Sequence, residues 1–329
     1  MLMSLLLPSA LLIVGLILLI WSSDIFIDGA ACTAKHQNIS PLIIGVVVLG
    51  FGTSMPEIVV ATLASLDQSP GLAIGNAIGS NIANIALVLG FAAIVAPIMI
   101  KSSIIKREIP LLVAISLGAY LLVLDGHLGF WDGVILVATL MVVMTWMIKA
   151  NKHVDPCDPI NEETENELDD LPELSKAKAL VYLIGGLIVL MISARMMVSG
   201  AEDIAVYFNV PELIIGLTII AIGTSLPELA AAIAAARKNE ADLMIGNIVG
   251  SNLFNILAVL AVPALLAPSV LDESVVTIDM PIMLGLTLIM VVLALPKKGA
   301  AQLSRANGIL LVTLFIAFLV MLYFRAIAA

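Results

Sequence analysis

Two glutamates in matching apolar surroundings are the residues of this sequence best suited to bind a cation. Glu57 ends the motif Gly-Thr-Ser-Met-Pro-Glu at residues 52–57, and Glu228 ends Gly-Thr-Ser-Leu-Pro-Glu at residues 223–228. A charge at the centre of a lipid bilayer costs about 2.5–3.5 kcal/mol on insertion scales, and such residues usually mark ion pathways. Two of them in equivalent motifs predict ion coordination rather than two unrelated structural pairs.

Each motif is also expected to break the apolar helix that contains it. Pro56 and Pro227 have no N–H group and disrupt the preceding turn. A carbonyl group freed inside a bilayer cannot face lipid without a partner, so we expect these carbonyls to line a hydrated cavity. Carbonyl, hydroxyl and carboxylate oxygens are the ligands that hard cations prefer.

A polar stripe is predicted to face each motif. Asparagine, serine and asparagine recur at helical spacing i, i+4 and i+8, which places them on one face of a helix. The stripes consist of Asn76, Ser80 and Asn84 in one segment and Asn247, Ser251 and Asn255 in another. We expect the two serines and the last asparagine of each stripe to contact the ion. Asn76 and Asn247 fit helix packing and ion binding equally well.

The two motifs belong to an internal repeat. Residues 41–97 align with residues 212–268 at a constant offset of 171, and 25 of these 57 positions are identical. The chain is therefore interpreted as a tandem duplication. The first repeat covers residues 1–150, the second covers residues 178–329, and an acidic linker at residues 151–177 joins them.

The composition predicts a membrane protein. Hydrophobic residues make up 61% of the 329 residues and charged residues only 12%, whereas soluble domains have about 25% charged residues. Apolar runs near the length needed to cross a bilayer predict ten spans, at about 5–30, 41–66, 71–96, 109–124, 130–148, 178–199, 211–236, 241–267, 279–295 and 307–325. Five spans per repeat is an odd number, so the second repeat must enter the membrane from the opposite side. The predicted fold is an all-α membrane protein of ten transmembrane helices in two inverted five-helix repeats, with helices 2 and 7 broken.

The distribution of basic residues predicts how these spans are oriented across the membrane. Of the 15 lysines and arginines, 13 fall in predicted loops on one side of the membrane, and cytoplasmic loops carry such an excess. Both termini are therefore expected outside the cell and the linker in the cytoplasm. Nine acidic residues between positions 155 and 173 make the linker a solvated, flexible segment.

Other charged residues in or near the spans are expected to have structural roles. Asp24 and Arg195 occupy equivalent positions in the two repeats, and we expect them to pair across the pseudo-dyad, with a role in ion transfer as the alternative. Glu108, Asp67 and Asp279 are expected at the membrane interface.

The paired motifs resemble the alpha repeats of the calcium/cation antiporter superfamily, specifically sodium/calcium exchangers of the bacterial inner-membrane type. The resemblance implies ten helices with four central cation sites between spans 2, 3, 7 and 8, and Glu57 and Glu228 as the carboxylate ligands. The other ligands that it implies are Ser80, Asn84, Ser251 and Asn255, with Thr53, Ser54, Thr224 and Ser225 at the breaks and carbonyl groups of Gly50, Thr53, Ala221 and Thr224.

The implied activity is secondary antiport that extrudes calcium in exchange for sodium across a bacterial inner membrane. No enzymatic activity, cofactor or nucleic-acid partner is expected; the implied partners are inorganic cations and the lipid bilayer. Many exchangers of this type carry aspartate where this chain has Asn255, so the site charge here is −2 from Glu57 and Glu228 alone. That departure leaves the counter-ion open among sodium, protons and potassium, with calcium/proton antiport as the main alternative. A channel or an intramembrane hydrolase fits less well, because no histidine or cysteine lies near the motifs.

Overall fold

Helices account for most of the structure. The computed structural model describes residues 2–37, 50–100, 103–151, 172–238, 241–295 and 301–328. Within these ranges, the strands are only two or three residues long. The architecture is therefore all-helical, as the composition predicts.

The first half of the chain has seven α-helices in the described residues. They are α1 (Leu2–His36), α2 (Gly50–Thr53), α3 (Met55–Leu66), α4 (Pro70–Ala83), α5 (Leu89–Val95), α6 (Ser103–Leu122) and α7 (Phe130–Asn151). A π-helical turn at Asn84–Val88 joins α4 to α5, and the strands are β1 (Ile98–Ile100) and β2 (His127–Leu128).

The second half follows a similar order. Its α-helices in the described residues are α8 (Lys176–Phe208), α9 (Glu212–Ile215), α10 (Ala221–Thr224), α11 (Leu226–Lys238), α12 (Ala241–Phe254), α13 (Ala261–Leu266), α14 (Met280–Ala294) and α15 (Arg305–Ala328). Its π-helical turns are Gly216–Ile220, Asn255–Val259 and Val275–Asp279, and its strands are β3 (Ser269–Val270) and β4 (Ala301–Leu303).

Local sequence signals fix the ends of the long helix α8. The hydroxyl of Ser175 accepts a hydrogen bond from the main-chain nitrogen of Lys178 at 3.4 Å, an N-terminal cap that satisfies one free N–H group. Asn209 ends the helix in the left-handed conformation, with φ 52° and ψ 39°. Asparagine tolerates that conformation better than most residues. The helix therefore starts and stops where its capping residues are placed.

The chain is a multi-pass membrane protein. Eight helical segments of the described residues are long and apolar enough to cross a bilayer: Leu5–His36, Pro70–Val95, Phe130–Met147, Lys176–Phe208, Glu212–Arg237, Met244–Leu266, Val275–Ala294 and Arg305–Ile327. The predicted span at 41–66 begins in residues 38–49, which lie outside the described ranges. The predicted span at 109–124 corresponds to α6, whose sequence carries Lys106, Arg107 and Glu108 near its start. The other eight predicted spans match the observed helices.

The repeat-equivalent helices α1 and α8 pack against each other in opposite directions. A Cβ atom added at Gly15 would meet the main chain of Ser193 and Met197, whereas one added at Gly29, further along α1, would meet the main chain of Leu183, earlier in α8. A Cβ atom at Gly29 would lie 2.3 Å from the Leu183 nitrogen. Only glycine allows so close an approach, so the two helices are held antiparallel at backbone contact.

Two small antiparallel sheets join the two halves of the chain. β1 pairs with β4, with Met99 opposite Gln302. β2 pairs with β3, with His127 opposite Val270. Each sheet thus takes one strand from each half, and the four strands tie loops of one half to loops of the other.

The predicted Asp24–Arg195 pair is wrong. The guanidinium of Arg195 instead forms an ion pair with Asp67, at the C-terminal end of α3. Arg195 and Asp24 lie on antiparallel helices, and the partner of Arg195 is set by α3, whose C-terminal end reaches α8 beside Arg195. Sequence equivalence alone does not reveal that contact.

Glu108 and Asp279, which were expected at the membrane interface, are both buried within the protein, and their depth in the membrane stays a prediction. Arg325 of α15 donates hydrogen bonds to both carboxylate oxygens of Asp279, at 2.6 and 3.4 Å. This two-point contact compensates the buried charge of Asp279 and fixes the last helix against the start of α14.

Candidate cation site

Both predicted helix breaks are present, but each is one residue wide. Ser54 separates α2 from α3 with φ −89° and ψ 2°, and Ser225 separates α10 from α11 with φ −85° and ψ 3°. Helical hydrogen bonding resumes at once, since Ile58 donates to the Ser54 carbonyl at 3.1 Å and Leu229 to the Ser225 carbonyl at 3.0 Å. Each motif therefore interrupts its helix at a single residue rather than unwinding a longer stretch, and this one-residue interruption is called a kink below.

Glu57 and Glu228 lie in the first turn of the helices that follow the kinks. Both side chains are 0% exposed. Among the described residues, none of their four carboxylate oxygens has a hydrogen-bond partner. A buried carboxylate without a protein partner is strongly unfavourable unless a cation or proton neutralises it. The two side chains therefore have the chemistry of cation ligands.

Hydroxyl groups of the two halves contact each other beside the glutamates. The Thr53 hydroxyl lies 3.2 Å from the Ser251 hydroxyl, and the Thr224 hydroxyl lies 3.4 Å from the Ser80 hydroxyl. These pairs are equivalent under the repeat offset of 171. In each pair, the threonine that precedes the kink of one half contacts the polar stripe of the other half. The structure thus brings four predicted oxygen ligands together in one buried region.

The last asparagine of each polar stripe stands at the start of a π-helical turn. Asn84 begins the turn Asn84–Val88, and Asn255 begins the turn Asn255–Val259. Both are 0% exposed, and their amide atoms have no hydrogen-bond partner in the described part of the chain. π-helical turns are rare and frequent at functional sites. The sequence spacing did not predict them, because a single extra residue per turn leaves no periodic signal.

The remaining predicted ligands differ in their hydrogen-bond partners. The hydroxyls of Ser54 and Ser225 are buried and have no hydrogen-bond partner among the described residues. The main chain of Gly50 begins α2. The Ala221 carbonyl accepts hydrogen bonds from the Ser225 nitrogen at 3.1 Å and from the Thr224 hydroxyl at 3.4 Å. That carbonyl is thus already engaged, and its role as an ion ligand stays a prediction.

Helical spacing identifies the carbonyl groups that the two prolines were expected to free. In an uninterrupted helix, the carbonyls of Gly52 and Gly223 would accept from residues 56 and 227. Both of those residues are prolines and have no hydrogen to donate. The prolines therefore remove the usual helical donor from the glycine carbonyls four residues earlier, although the Gly223 carbonyl accepts from the Ser225 nitrogen instead.

The site combines two carboxylates with neutral oxygens. Hard cations such as calcium take carboxylate, hydroxyl and carbonyl oxygens in flexible numbers. Within the described ranges, no group of three or more histidine, cysteine, aspartate or glutamate side chains could hold a metal ion. A donor set with only two charges suits a cation that binds and leaves better than a permanently held structural metal.

A protein family and several individual proteins match this chain along most of its length. The family model described as sodium/calcium exchanger protein matches residues 7–149 and 178–324. A relative named "Putative antiporter CaxA", from Alkalimonas amylolytica, is 42% identical over 311 residues, which cover 94% of this chain and 97% of that protein. "Inner membrane protein YrbG" of Escherichia coli (strain K12) is 40% identical over 319 residues, which cover 97% of each chain.

Solved structures also match this chain along nearly its whole length. The sodium-calcium exchanger NCX_Mj, soaked with 2.5 mM Na⁺ and 10 mM Sr²⁺, matches 99% of each chain with a TM-score of 0.65 and 33% sequence identity. The family match covers well over half of the sequence, and the kinked, glutamate-bearing segments lie inside it. This chain therefore belongs to the sodium/calcium exchanger family of membrane cation antiporters.

Proposed function

We propose that this protein is a secondary-active antiporter that exchanges calcium for sodium by alternating access and so extrudes calcium across a bacterial inner membrane. The observation that carries the proposal is the pair of fully buried carboxylates, Glu57 and Glu228, without a protein partner in the described residues. The inner-membrane location is supported by the name of the Escherichia coli relative.

The charge of the site supports exchange rather than one-way permeation. Glu57 and Glu228 together carry −2, which one calcium ion or two sodium ions neutralise. Because burial makes an uncompensated charge costly, the site favours a loaded state over an empty one. Calcium and sodium would therefore compete for the same oxygens, and one ion would leave only when the other replaces it.

Several features of the packing support an inverted two-repeat arrangement with ten spans. Repeat-equivalent helices α1 and α8 are antiparallel, as an inversion requires, and each sheet pairs one strand from each half. The family match falls into two stretches that begin 171 residues apart. Inverted repeats place the ion site between two halves that can rock against each other, which would open the site to one side of the membrane at a time.

Calcium flux in proteoliposomes under imposed gradients tests the choice of counter-ion. With calcium inside, an inward sodium gradient is expected to drive calcium efflux, whereas proton or potassium gradients of the same size are not. Efflux driven by a proton gradient without sodium would favour the calcium/proton alternative, in which Glu57 and Glu228 carry protons. A calcium leak that ignores all three gradients would contradict antiport altogether.

We expect transport to be electrogenic, with three sodium ions exchanged for each calcium ion. One net charge that crosses 100 mV is worth about 2.3 kcal/mol, which corresponds to roughly a fiftyfold ion ratio. Sodium-driven calcium flux is therefore expected to change when a potassium diffusion potential is imposed at fixed sodium and calcium gradients. Flux that ignores the potential would mean two sodium ions per calcium, as the −2 charge of the site alone favours.

We expect the acidic linker to be cytoplasmic and dispensable for transport. Most of it, residues 152–171, lies outside the described residues. Its last residues pack against the end of α1, where the Pro172 carbonyl accepts from the Cys32 thiol at 3.2 Å and the Leu174 carbonyl lies 2.8 Å from the His36 ring. Replacing the acids from Asp155 to Asp170 by their amides keeps the chain length and these contacts.

The linker variant is expected to transport calcium within about twofold of the wild type, the range of a change at a surface remote from the site. The native Cys157 of the linker should react with a membrane-impermeant maleimide only after the cells are opened, whereas Cys32 is buried. Labelling of intact cells would overturn the orientation, and a loss of transport in the amide variant would indicate that the linker is regulatory.

A further inference from the structure

One buried asparagine connects the two halves of the candidate site. The Asn76 amide nitrogen donates a hydrogen bond to the main-chain oxygen of Glu57 at 3.2 Å. The amide oxygen accepts from the Thr224 hydroxyl at 3.2 Å and from the Ser80 hydroxyl at 3.5 Å. Asn76 is 0% exposed. A single amide group therefore ties α3, α4 and α10 together next to the first glutamate.

The second half contains part of the same arrangement. The Thr53 hydroxyl donates to the amide oxygen of Asn247 at 3.4 Å and lies 3.2 Å from the Ser251 hydroxyl. These three residues are the repeat equivalents, at the offset of 171, of the cluster around Asn76. In both clusters the asparagine of one half meets the threonine of the other. The asparagine is the nearer partner only in the first cluster, because Ser251 lies nearer to Thr53 than Asn247 does, so the contacts of Asn76 carry the argument.

The chemistry of a hydroxyl ligand explains what the asparagines contribute. A hydroxyl group has one hydrogen and two lone pairs, and a cation binds the lone pairs. The Ala221 carbonyl and the Ser80 hydroxyl lie 3.4 Å from the Thr224 hydroxyl, and the Glu57 carboxylate also lies beside it. The bond to the Asn76 oxygen, at 3.2 Å, is the shortest of those formed, and a cation on Glu57 would leave it as the main acceptor. When Asn76 takes that hydrogen, both lone pairs of the Thr224 oxygen are available to an ion.

We propose that Asn76 and Asn247 are positioning residues that orient the hydroxyls of Thr224 and Thr53 for cation binding and contact no ion themselves. This inference rests on the function proposed above and deepens it. The further bond from Asn76 to the Glu57 main chain extends the effect to the carboxylate. Each asparagine thereby makes the ligand geometry of one half depend on the other half.

Double-mutant cycles on equilibrium calcium binding to the purified full-length protein test this inference. Asn76→Ala is expected to weaken calcium binding about five- to tenfold, because it removes hydrogen bonds that orient ligands. Thr224→Val removes the ligand itself. Residues that act through each other are not additive, so the double variant is expected to lose clearly less than the product of the two single losses.

Asn81→Ala is the matched control. Asn81 is also a buried asparagine of α4, but its amide nitrogen donates to the Ala77 carbonyl of its own helix at 2.8 Å. Its replacement is expected to leave calcium affinity unchanged. If Asn76 were purely structural, its replacement would lower the thermal midpoint of the protein without weakening calcium binding.

A second cycle keeps the test decisive if Asn76→Ala does not fold. Asn247→Ala and Thr53→Val probe the equivalent contact in the other half, with the same expected result. Losses that multiply in a folded cycle, or unchanged affinity in both asparagine variants, would overturn the inference while leaving the proposed function intact. A wild-type protein that binds no calcium would contradict the proposed function itself, and this inference with it.

Discussion

Replacing Glu57 or Glu228 with glutamine is expected to lower sodium-driven calcium flux at least about a hundredfold. Glutamine keeps the size of the side chain but removes one of the two charges. A unit charge about 4 Å from another is worth about 4 kcal/mol at an effective dielectric constant of 20, and each 1.4 kcal/mol is a factor of about ten in binding. The site would keep a charge of −1, too little to neutralise a calcium ion.

The measurement is calcium uptake by proteoliposomes that contain equal amounts of folded protein. Because both carboxylates lack hydrogen-bond partners among the described residues, the neutral variants lose no protein contact and are expected to fold and insert normally. Glu273→Gln provides the control, since that carboxylate is exposed at the start of the segment leading into α14. Wild-type flux in either the Glu57 or the Glu228 variant would refute the assignment of the site.

A single methyl group at Gly75 is expected to destabilise the protein by several degrees in thermal midpoint. A Cβ atom there would lie 2.4 Å from the Leu213 carbonyl, and one at Gly216 would lie 2.4 Å from the Leu72 carbonyl. Backbone atoms cannot rotate away as a side chain can, and overpacking typically costs about 1–3 kcal/mol. Gly75→Ala and Gly216→Ala should therefore separate α4 from the α9 segment, which comprises α9 and the π-helical turn Gly216–Ile220 after it. Both variants are expected to lower the yield of folded protein.

Gly118→Ala gives the opposite expectation. Gly118 lies in α6, and a methyl group on its Cα would meet no neighbouring heavy atom within 4 Å in the described part of the chain. Alanine is favoured over glycine in helices by about 1 kcal/mol. The thermal midpoint of this variant in detergent is expected to stay equal or rise slightly. If Gly75→Ala and Gly118→Ala behave alike, the close crossing of α4 with the α9 segment is not present in the protein.

The features that the sequence predicts well are those with a direct covalent cause. Pro56 and Pro227 must interrupt helical hydrogen bonding wherever the helices pack, and kinks are found at both motifs. Burial of Glu57 and Glu228 follows from the apolar segments around them. The polar stripe from Ser80 to Asn84 needs only helical spacing to share a face, and both of these side chains are buried.

Features set by helix packing were not predictable in the same way. The pairing of Arg195 with Asp67 depends on which helix reaches α8 beside Arg195, and the Asp279–Arg325 contact joins residues 46 positions apart. Such contacts depend on rotation and sliding of helices that all look equally apolar in sequence. For the same reason, the sequence did not decide whether Asn76 serves helix packing or the ion site. Its hydrogen bonds to Thr224 and to the main chain of Glu57 become visible only in the structure.

Equilibrium calcium binding in the presence of sodium tests most directly the central claim that Glu57 and Glu228 form one site shared by both ions. With the purified wild-type protein, increasing sodium is expected to weaken apparent calcium affinity without lowering the number of calcium ions bound at saturation. The Glu57→Gln/Glu228→Gln double variant is expected to bind no calcium at concentrations that saturate the wild type. Calcium binding that sodium does not displace, or that survives in the double variant, would contradict the account.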